Sequence, residues 1–296
     1  MKKHKVFLLS LGCSKNTVDS ERLMAQAEAS GIIFTDHADE AEIILINTCG
    51  FIADAKEESI TETLAAIDKK AEGIIKRVYV MGCLTELHRQ ELQEEMPEVD
   101  GFFGTRELTE VLSAIGAEYR EELYDRRSLL TPPHYSYLKI AEGCNRACSF
   151  CSIPIIRGRY KSQPPEQLLR EAALLKASGV RELNVIAQDI SLYGYDLAGK
   201  TLLNDLVLRL SDIGFDWIRL LYAYPVNFPL EVIDTMRKRE NICNYLDIPL
   251  QHCNSRIKTI IVAKLAFYQD SCIAYDGCKC TKSKMLLTAE QLLLQV

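Results

Sequence analysis

The chain has 296 residues, 48% of them hydrophobic and 26% charged, and a formal net charge of −6. This is the composition of an ordinary globular protein of about two domains, and the negative charge argues against a strong nucleic-acid binder. No apolar run approaches the ~18 residues that a membrane span needs, and the run after the basic N-terminus is too short for a signal peptide. We therefore expect a cytoplasmic protein with no membrane association, in which eleven cysteines favour metal binding or catalysis over disulfides.

The N-terminal third alternates short apolar strands with amphipathic helices. The predicted strands are Val6–Leu11, Ile43–Asn47, Arg77–Met81 and a short one at Phe102–Phe103. The predicted helices are Asp19–Ser30, Ala53–Lys70, Thr85–Glu95 with Thr85 as its N-cap, and Glu107–Ala114. This alternation predicts a parallel sheet with helices on both faces.

A cysteine follows each of the first three predicted strands. Cys13, Cys49 and Cys83 are separated by 36 and 34 residues, and each has a glycine neighbour that lets the backbone approach a bulky group. The carboxyl ends of parallel strands share one edge of a sheet, where ligands bind. The pattern favours a three-cysteine metal cluster over the alternative of three unrelated buried cysteines.

A mixed-charge segment ending in Thr131-Pro-Pro133 predicts a linker, after which strands and helices alternate again. The predicted strands are Tyr137–Ala141, Glu182–Ala187, Trp217–Tyr222 and Tyr245–Ile248, and the predicted helices Glu166–Ser178, Leu202–Ile213 and Pro229–Lys238. This order is typical of a (β/α) barrel or part of one, with chemistry at the carboxyl ends of the strands.

Directly after the first of these strands comes Cys144-Asn-Arg-Ala-Cys148-Ser-Phe-Cys151, a C-x3-C-x2-C motif. A cubane iron–sulfur cluster normally takes four thiolates, so three leave one iron open for reaction. The alternatives are a zinc knuckle and buried free cysteines. Zinc sites favour paired C-x2-C motifs or histidines, and no histidine lies between Cys144 and Cys151.

This motif resembles the signature of the radical S-adenosylmethionine (SAM) enzymes, in which the open iron binds SAM and the reduced cluster cleaves it to a radical. Phe150 stands where that superfamily usually has an aromatic residue. Two three-cysteine sets in this order resemble the radical-SAM methylthiotransferases. The stretch Leu11–Asn16 and the following Val18–Glu21 look like the RimO-type branch, whereas the tRNA-modifying MiaB-type branch usually has Gln-Met in place of Ser14-Lys15.

The resemblance implies a flavodoxin-like N-terminal domain followed by a partial radical-SAM barrel, two [4Fe-4S] clusters and SAM. It implies methylthiolation of an aspartate β-carbon in a small-subunit ribosomal protein, the twelfth of that subunit. An electron donor such as flavodoxin is expected, and nucleic acid only through the ribosome. The alternatives are a tRNA adenosine methylthiotransferase and a non-catalytic iron–sulfur electron carrier or sensor.

Three further side chains are candidates for contacts with SAM or substrate. Gln188 and Asp189 lie at a predicted strand end, although they could merely cap the turn there. Arg157, in a short basic run, could hold the SAM carboxylate. The role of His252, at another strand end, stays open.

The predicted domains are 1–116 with the auxiliary cluster, the linker 117–133, the partial barrel 134–257 and an atypical tail 258–296. The tail matches no barrel unit, which favours a frameshifted or truncated product. Its cysteine pair Cys278 and Cys280 is too small a set for a cluster site.

Overall fold

A computed structural model of the chain describes residues 4–146, 148, 151–225, 228–248 and 286–287. The chain forms two compact units. The first is Met1–Leu130 together with Ile155–Arg157, and the second is Thr131–Pro154 together with Gly158–Val296. None of the helices in the described part of the chain is long and apolar enough to cross a membrane.

The first unit is built on a five-stranded sheet. Its strands are β1 (Lys5–Ser10), β2 (Ile33–Phe34), β3 (Ile43–Thr48), β4 (Arg77–Gly82) and β5 (Gly101–Phe103). They pair in the order β2-β1-β3-β4-β5, every pair parallel. This is the order of flavodoxin-like sheets, in which ligands bind outside the carboxyl ends of β1 and β3.

Helices cover both faces of this sheet. They are α1 (Ser14–Ala29), α2 (Ala53–Ala71), α3 (Cys83–Glu95) and α4 (Leu108–Ala114), with short 3-10 turns at Ala38–Glu40 and Glu121–Leu123. Leu45 packs with Leu23 and Val111 on one face, while its neighbour Ile46 packs with Ala66 on the other. Because successive strand residues point to opposite faces, a strand covered on both sides must be apolar throughout, as β3 is.

Two predicted helix starts were wrong. The first helix begins at Ser14, with Cys13 as its N-cap, rather than at Asp19. The third begins at Cys83 with Gly82 as its N-cap, so Thr85 lies within the first turn of the helix and is not its N-cap. Both helices follow their strands almost without a loop. The polar start of α1 concealed this, because its polar side chains, such as Asn16, are buried instead of solvated.

Part of the predicted linker belongs to the first unit. Arg127 forms an ion pair with Glu21 of α1 (Nη2–Oε2 2.6 Å), and both side chains are buried. The backbone N–H of Leu130 donates to Glu21 Oε1 at 2.8 Å. The glutamate therefore ties the segment after α4 to the first helix.

The second unit contains a mixed sheet with helices between its strands. The strands are β6 (Tyr135–Lys139), β7 (Ala141–Glu142), β8 (Lys161–Ser162), β9 (Glu182–Ile186), β10 (Trp217–Leu220), β11 (Ile242–Asp247) and β12 (Leu286–Leu287). The helices are α6 (Pro165–Ala177), α7 (Tyr195–Ala198), α8 (Leu203–Asp212) and α9 (Glu231–Lys238), with a 3-10 turn at Ile190–Leu192. The short helix α5 (Ile153–Ile156) begins in this unit, and its last two residues belong to the first unit. The sheet order is β12-β11-β10-β9-β6.

The three parallel pairings of this sheet agree with a partial barrel. Strands β6, β9, β10 and β11 are parallel neighbours, as the strand–helix alternation predicts. The sheet also contains a strand that the sequence did not predict, since β12 pairs antiparallel with β11 at Leu246 and Leu287. Strands β7 and β8 form a separate antiparallel pair. Between them in the sequence lies the triad loop, which carries Cys144, Cys148 and Cys151.

Candidate functional site

The three strand-end cysteines all follow carboxyl ends of the first sheet. Cys13 comes after β1 and is exposed, Cys49 follows β3, and Cys83 is the first residue of α3; the last two are buried. The sheet therefore brings residues from three distant parts of the sequence to one edge.

Asn16 connects the backbone segments that carry these cysteines. Its Nδ2 donates to the carbonyl of Leu11 (3.0 Å), two residues before Cys13, and to that of Thr48 (2.9 Å), directly before Cys49. Its Oδ1 lies 3.6 Å from the Sγ of Cys83. In the sequence, Asn16 was noted only as part of the Leu11–Asn16 motif. Its position three residues after a strand-end cysteine could have marked it as a residue of this site.

Glycines allow the close approach of these segments. Gly12 has φ +92°, and a Cβ there would lie 2.6 Å from the Cβ of Cys49. Gly82, before Cys83, has φ +108°, and its Cβ would lie 2.6 Å from the carbonyl oxygen of Thr48. A side chain at either position would therefore push a cysteine segment away.

The surroundings of Cys83 disfavour its charged form. Burial raises the pKa of Cys83 to about 11; the guanidinium of Arg157 opposes that shift, and Cys13 and Cys49 add to it. Among the described residues, no group of three or more His, Cys, Asp or Glu is arranged to hold a single metal ion. A polynuclear cluster holds its thiolates farther apart than one ion does. A soft, all-thiolate set fits an iron–sulfur cluster.

Arg157 lies beside this set. Its Nη2 donates to the Sγ of Cys83 at 3.3 Å and to Asn16 Oδ1 at 2.5 Å, and its Nη1 pairs with Asp19 Oδ2 at 2.5 Å. The predicted contact between Arg157 and a SAM carboxylate stays a prediction. In the structure its guanidinium contacts Asp19, Asn16 and Cys83 at the strand-end site.

The triad loop of the second unit begins at the left-handed Gly143. The N–H of Cys144 donates to the carbonyl of Gly158 (3.1 Å), and the N–H of Cys151 to that of Cys148 (3.1 Å). Burial raises the pKa of Cys144 and of Cys148, and Cys151 adds to both shifts. Phe150 lies outside the described residues.

Arg146, between the first two cysteines of the triad, is clamped by Asp189. Its Nε and Nη2 lie 3.0 and 2.9 Å from Asp189 Oδ2, and its guanidinium stacks 4.0 Å from the ring centre of Tyr224. The other oxygen of Asp189 accepts the N–H of Ser191 at 2.9 Å. Asp189, at the end of β9, thus orients the triad loop. Sequence reasoning missed Arg146, whose signal was a charge inside a cysteine motif.

Among the residues that the structure describes in this unit, two buried polar atoms have no hydrogen-bond partner. One is Oε1 of Gln188, whose Nε2 donates to Glu142 at 2.5 Å, and the other is the hydroxyl of Tyr160. Buried polar atoms normally find partners, so these residues fit a polar cofactor. His252 lies outside the described residues.

Two family models match the chain. Residues 5–104 match the Uncharacterized protein family UPF0004, and residues 138–271 match the Radical SAM superfamily. The chain is 82% identical over 257 residues to the ribosomal protein uS12 methylthiotransferase RimO of Pelodictyon phaeoclathratiforme (87% of this chain, 60% of the relative). The protein of the same name from Chlorobium limicola is 79% identical over 254 residues (86% and 59%).

The chain belongs to the RimO-type radical-SAM methylthiotransferase family. It spans about 60% of the length of these relatives. The superfamily match runs to residue 271, beyond Ile257, where sequence reasoning ended the barrel.

Solved structures confirm the fold class of this RimO-type chain. The radical SAM methyltransferase TsrM from Kitasatospora setae superposes with a TM-score of 0.57 at 14% identity, covering 87% of this chain and 63% of that one. The cobalamin-dependent radical enzyme OxsB gives 0.57 at 9% identity, covering 89% and 46%. At these identities the likeness concerns the fold alone.

Proposed function

We propose that this chain carries the two metal centres of a methylthiotransferase that modifies the β-carbon of an aspartate in ribosomal protein uS12. The observation that carries the proposal is the presence of two separate three-cysteine sets, one at strand ends and one on a loop. The high identity to relatives named for this reaction supports the same substrate.

Each set holds one [4Fe-4S] cluster in this proposal. Cys144, Cys148 and Cys151 ligate the first. The second is ligated by Cys13, Cys49 and Cys83. When bound, the loop cluster supplies the electron that cleaves SAM for hydrogen abstraction from the aspartate, and the strand-end cluster supplies the sulfur that is transferred with a methyl group.

The protein's own side chains prepare the loop site. Asp189 fixes Arg146 and with it the path of the backbone between Cys144 and Cys148. Gln188 presents an unpaired buried acceptor, which suits the amino group of SAM, and Tyr160 presents an unpaired hydroxyl donor. Phe150 is proposed to contact the same cofactor.

The proposed partners follow from this reaction. The substrate is a ribosomal protein, so the enzyme works in the cytoplasm and meets nucleic acid only within the ribosome. A small one-electron donor such as flavodoxin reduces the loop cluster. The net charge of −6 agrees with a protein substrate rather than with tight RNA binding.

Anaerobic reconstitution tests the proposal. We expect about eight iron atoms per chain, two cubanes of four, and a SAM-induced change in the electron paramagnetic resonance spectrum of the reduced protein. With SAM and reductant, a uS12 peptide should gain the mass of a methylthio group, and a tRNA substrate should not.

Cys243→Ala is the matched control, because this partly buried thiol on β11 belongs to neither set. It should keep the full iron content. A protein that holds all its iron yet shows no spectral response to SAM would contradict the radical-SAM assignment and favour an electron carrier or sensor.

A further inference from the structure

A buried cation lies against one of the strand-end thiols. The Arg157 side chain is only 3% exposed, and its Nη2 is 3.3 Å from the Sγ of Cys83. A guanidinium N–H that donates to sulfur interacts most strongly with a thiolate, because donor and acceptor then carry opposite charges.

The position of this guanidinium is fixed by two side chains of α1. Asp19 accepts from Nη1, and Asn16 accepts from Nη2 with its Oδ1, each at 2.5 Å. The two acceptors are three residues apart, on the same face of the helix. The carboxylate of Asp19 also offsets the cost of burying the positive charge of Arg157.

Asn16 joins this arrangement to the other two cysteine segments. Its amide nitrogen donates to the carbonyls of Leu11 and Thr48, so the oxygen that holds Arg157 cannot turn away without breaking those bonds. The contact between Arg157 and Cys83 is therefore built into the same framework that brings the three cysteine segments together.

Hydrogen bonds to ligand sulfurs and nearby positive charge are levers on the reduction potential of an iron–sulfur cluster. Reduction adds negative charge to the cluster, and a fixed cation beside a ligand stabilises that added charge. The cation therefore stabilises the reduced cluster more than the oxidised cluster, and the reduction potential rises.

We propose that Arg157 is a positioning residue of the strand-end centre, which donates a hydrogen bond to the Sγ of Cys83 and raises the reduction potential of the cluster bound there. This inference rests on the proposed function, since it requires a cluster on Cys13, Cys49 and Cys83.

The test isolates that cluster. In full-length chain with Cys144, Cys148 and Cys151 changed to alanine, only the strand-end centre can be reconstituted. Iron and sulfide content and the midpoint potential of the remaining cluster are then measured for Arg157→Gln and Arg157→Lys. Arg159→Gln, the same change at an exposed position two residues away, is the control.

Arg157→Gln should keep about four iron atoms per chain and shift the midpoint potential to lower values. Arg157→Lys, which keeps the charge, should shift it less, and Arg159→Gln should not shift it. An unchanged potential in a fully loaded Arg157→Gln protein would overturn the proposal. So would loss of the cluster from both Arg157 variants with unchanged circular dichroism, because Arg157 would then serve assembly alone.

If the triad-free parent bound no iron at all, the second centre of the proposed function would fail, and the inference with it. That result differs from an unchanged potential, so the two failures can be told apart.

Discussion

The two cysteine sets are positioned by different means. Cys13, Cys49 and Cys83 span 70 residues and are brought to one edge by the parallel order of β1, β3 and β4. Cys144, Cys148 and Cys151 lie within eight residues on a loop, which is held by the clamp between Arg146 and Asp189 and by the hydrogen bond from Cys144 to Gly158. A sheet places ligands through the whole core of its unit, whereas a loop depends on a few contacts.

The largest expected effect comes from removing a ligand in either set. Cys49→Ala and Cys148→Ala should each lower the iron content after anaerobic reconstitution from about eight to about four per chain. Only Cys148→Ala should abolish the spectral response to SAM. An unchanged iron content in Cys49→Ala would contradict the assignment of a cluster to the strand-end cysteines.

Glycines before a cysteine offer a matched test of the two regions. Gly82 (φ +108°) and Gly143 (φ +80°) both precede a cysteine, and a Cβ would lie 2.5 Å from Asn47 Oδ1 in the first and 2.6 Å from the carbonyl of Gly158 in the second. Alanine at either position should lower the free energy of unfolding by about 2–5 kcal/mol, from left-handed strain and overpacking.

Gly31→Ala and Gly179→Ala separate the two causes. Both glycines have positive φ, but a Cβ there would meet no atom of the described residues within 4 Å. In these variants left-handed strain alone should lower the free energy of unfolding, by about 1–2 kcal/mol. Urea unfolding of all four variants measures the free energy of unfolding. Equal decreases in the four would show that the close packing around Gly82 and Gly143 adds nothing to stability.

The comparison also explains how far the sequence predicts the structure. Periodicity located the longer strands of both sheets to within a few residues but missed the two-residue strands β2 and β12. Strand-end placement of Cys13, Cys49 and Cys83 followed from parallel topology. The roles of Asn16 and Arg157 could not be predicted, because they depend on side chains 141 residues apart in sequence meeting in the folded unit. Likewise, the contact between Asp189 and Arg146 could not be predicted, because the two residues are 43 positions apart in the sequence. The predicted contact of Asp189 with SAM or substrate stays a prediction.

A smaller effect is expected from breaking the clamp. Asp189 is 2% exposed, and Asp189→Asn removes the charge that accepts two N–H groups of Arg146. The lost charged hydrogen bonds should lower the free energy of unfolding by about 1.5–3 kcal/mol. To measure the iron bound by the triad alone, Asp189→Asn is added to a chain in which Cys13, Cys49 and Cys83 are changed to alanine. Its iron content should fall. Iron bound by the strand-end set, measured in the triad-free chain, should stay unchanged.

The smallest effect is expected at the opposite, amino-terminal edge of the second sheet, where Asp216 pairs with Arg181 (Oδ2–Nε 2.6 Å) just before β10 and β9. The hydrogen bond from Arg181 lowers the pKa of Asp216. Because the folded-state pKa of Asp216 is lowered, the ion pair stabilises the protein at pH values above the unfolded-state pKa of this carboxyl. That stability is lost as the pH falls through the folded-state pKa.

Both side chains are exposed, so solvent and salt screen the pair. Asp216→Asn should therefore leave the unfolding midpoint at pH 7 nearly unchanged, and any difference should shrink in acid or high salt. A drop as large as that of Asp189→Asn would mean that ion pairs around this sheet act alike, and that the clamp has no special part in holding the triad loop.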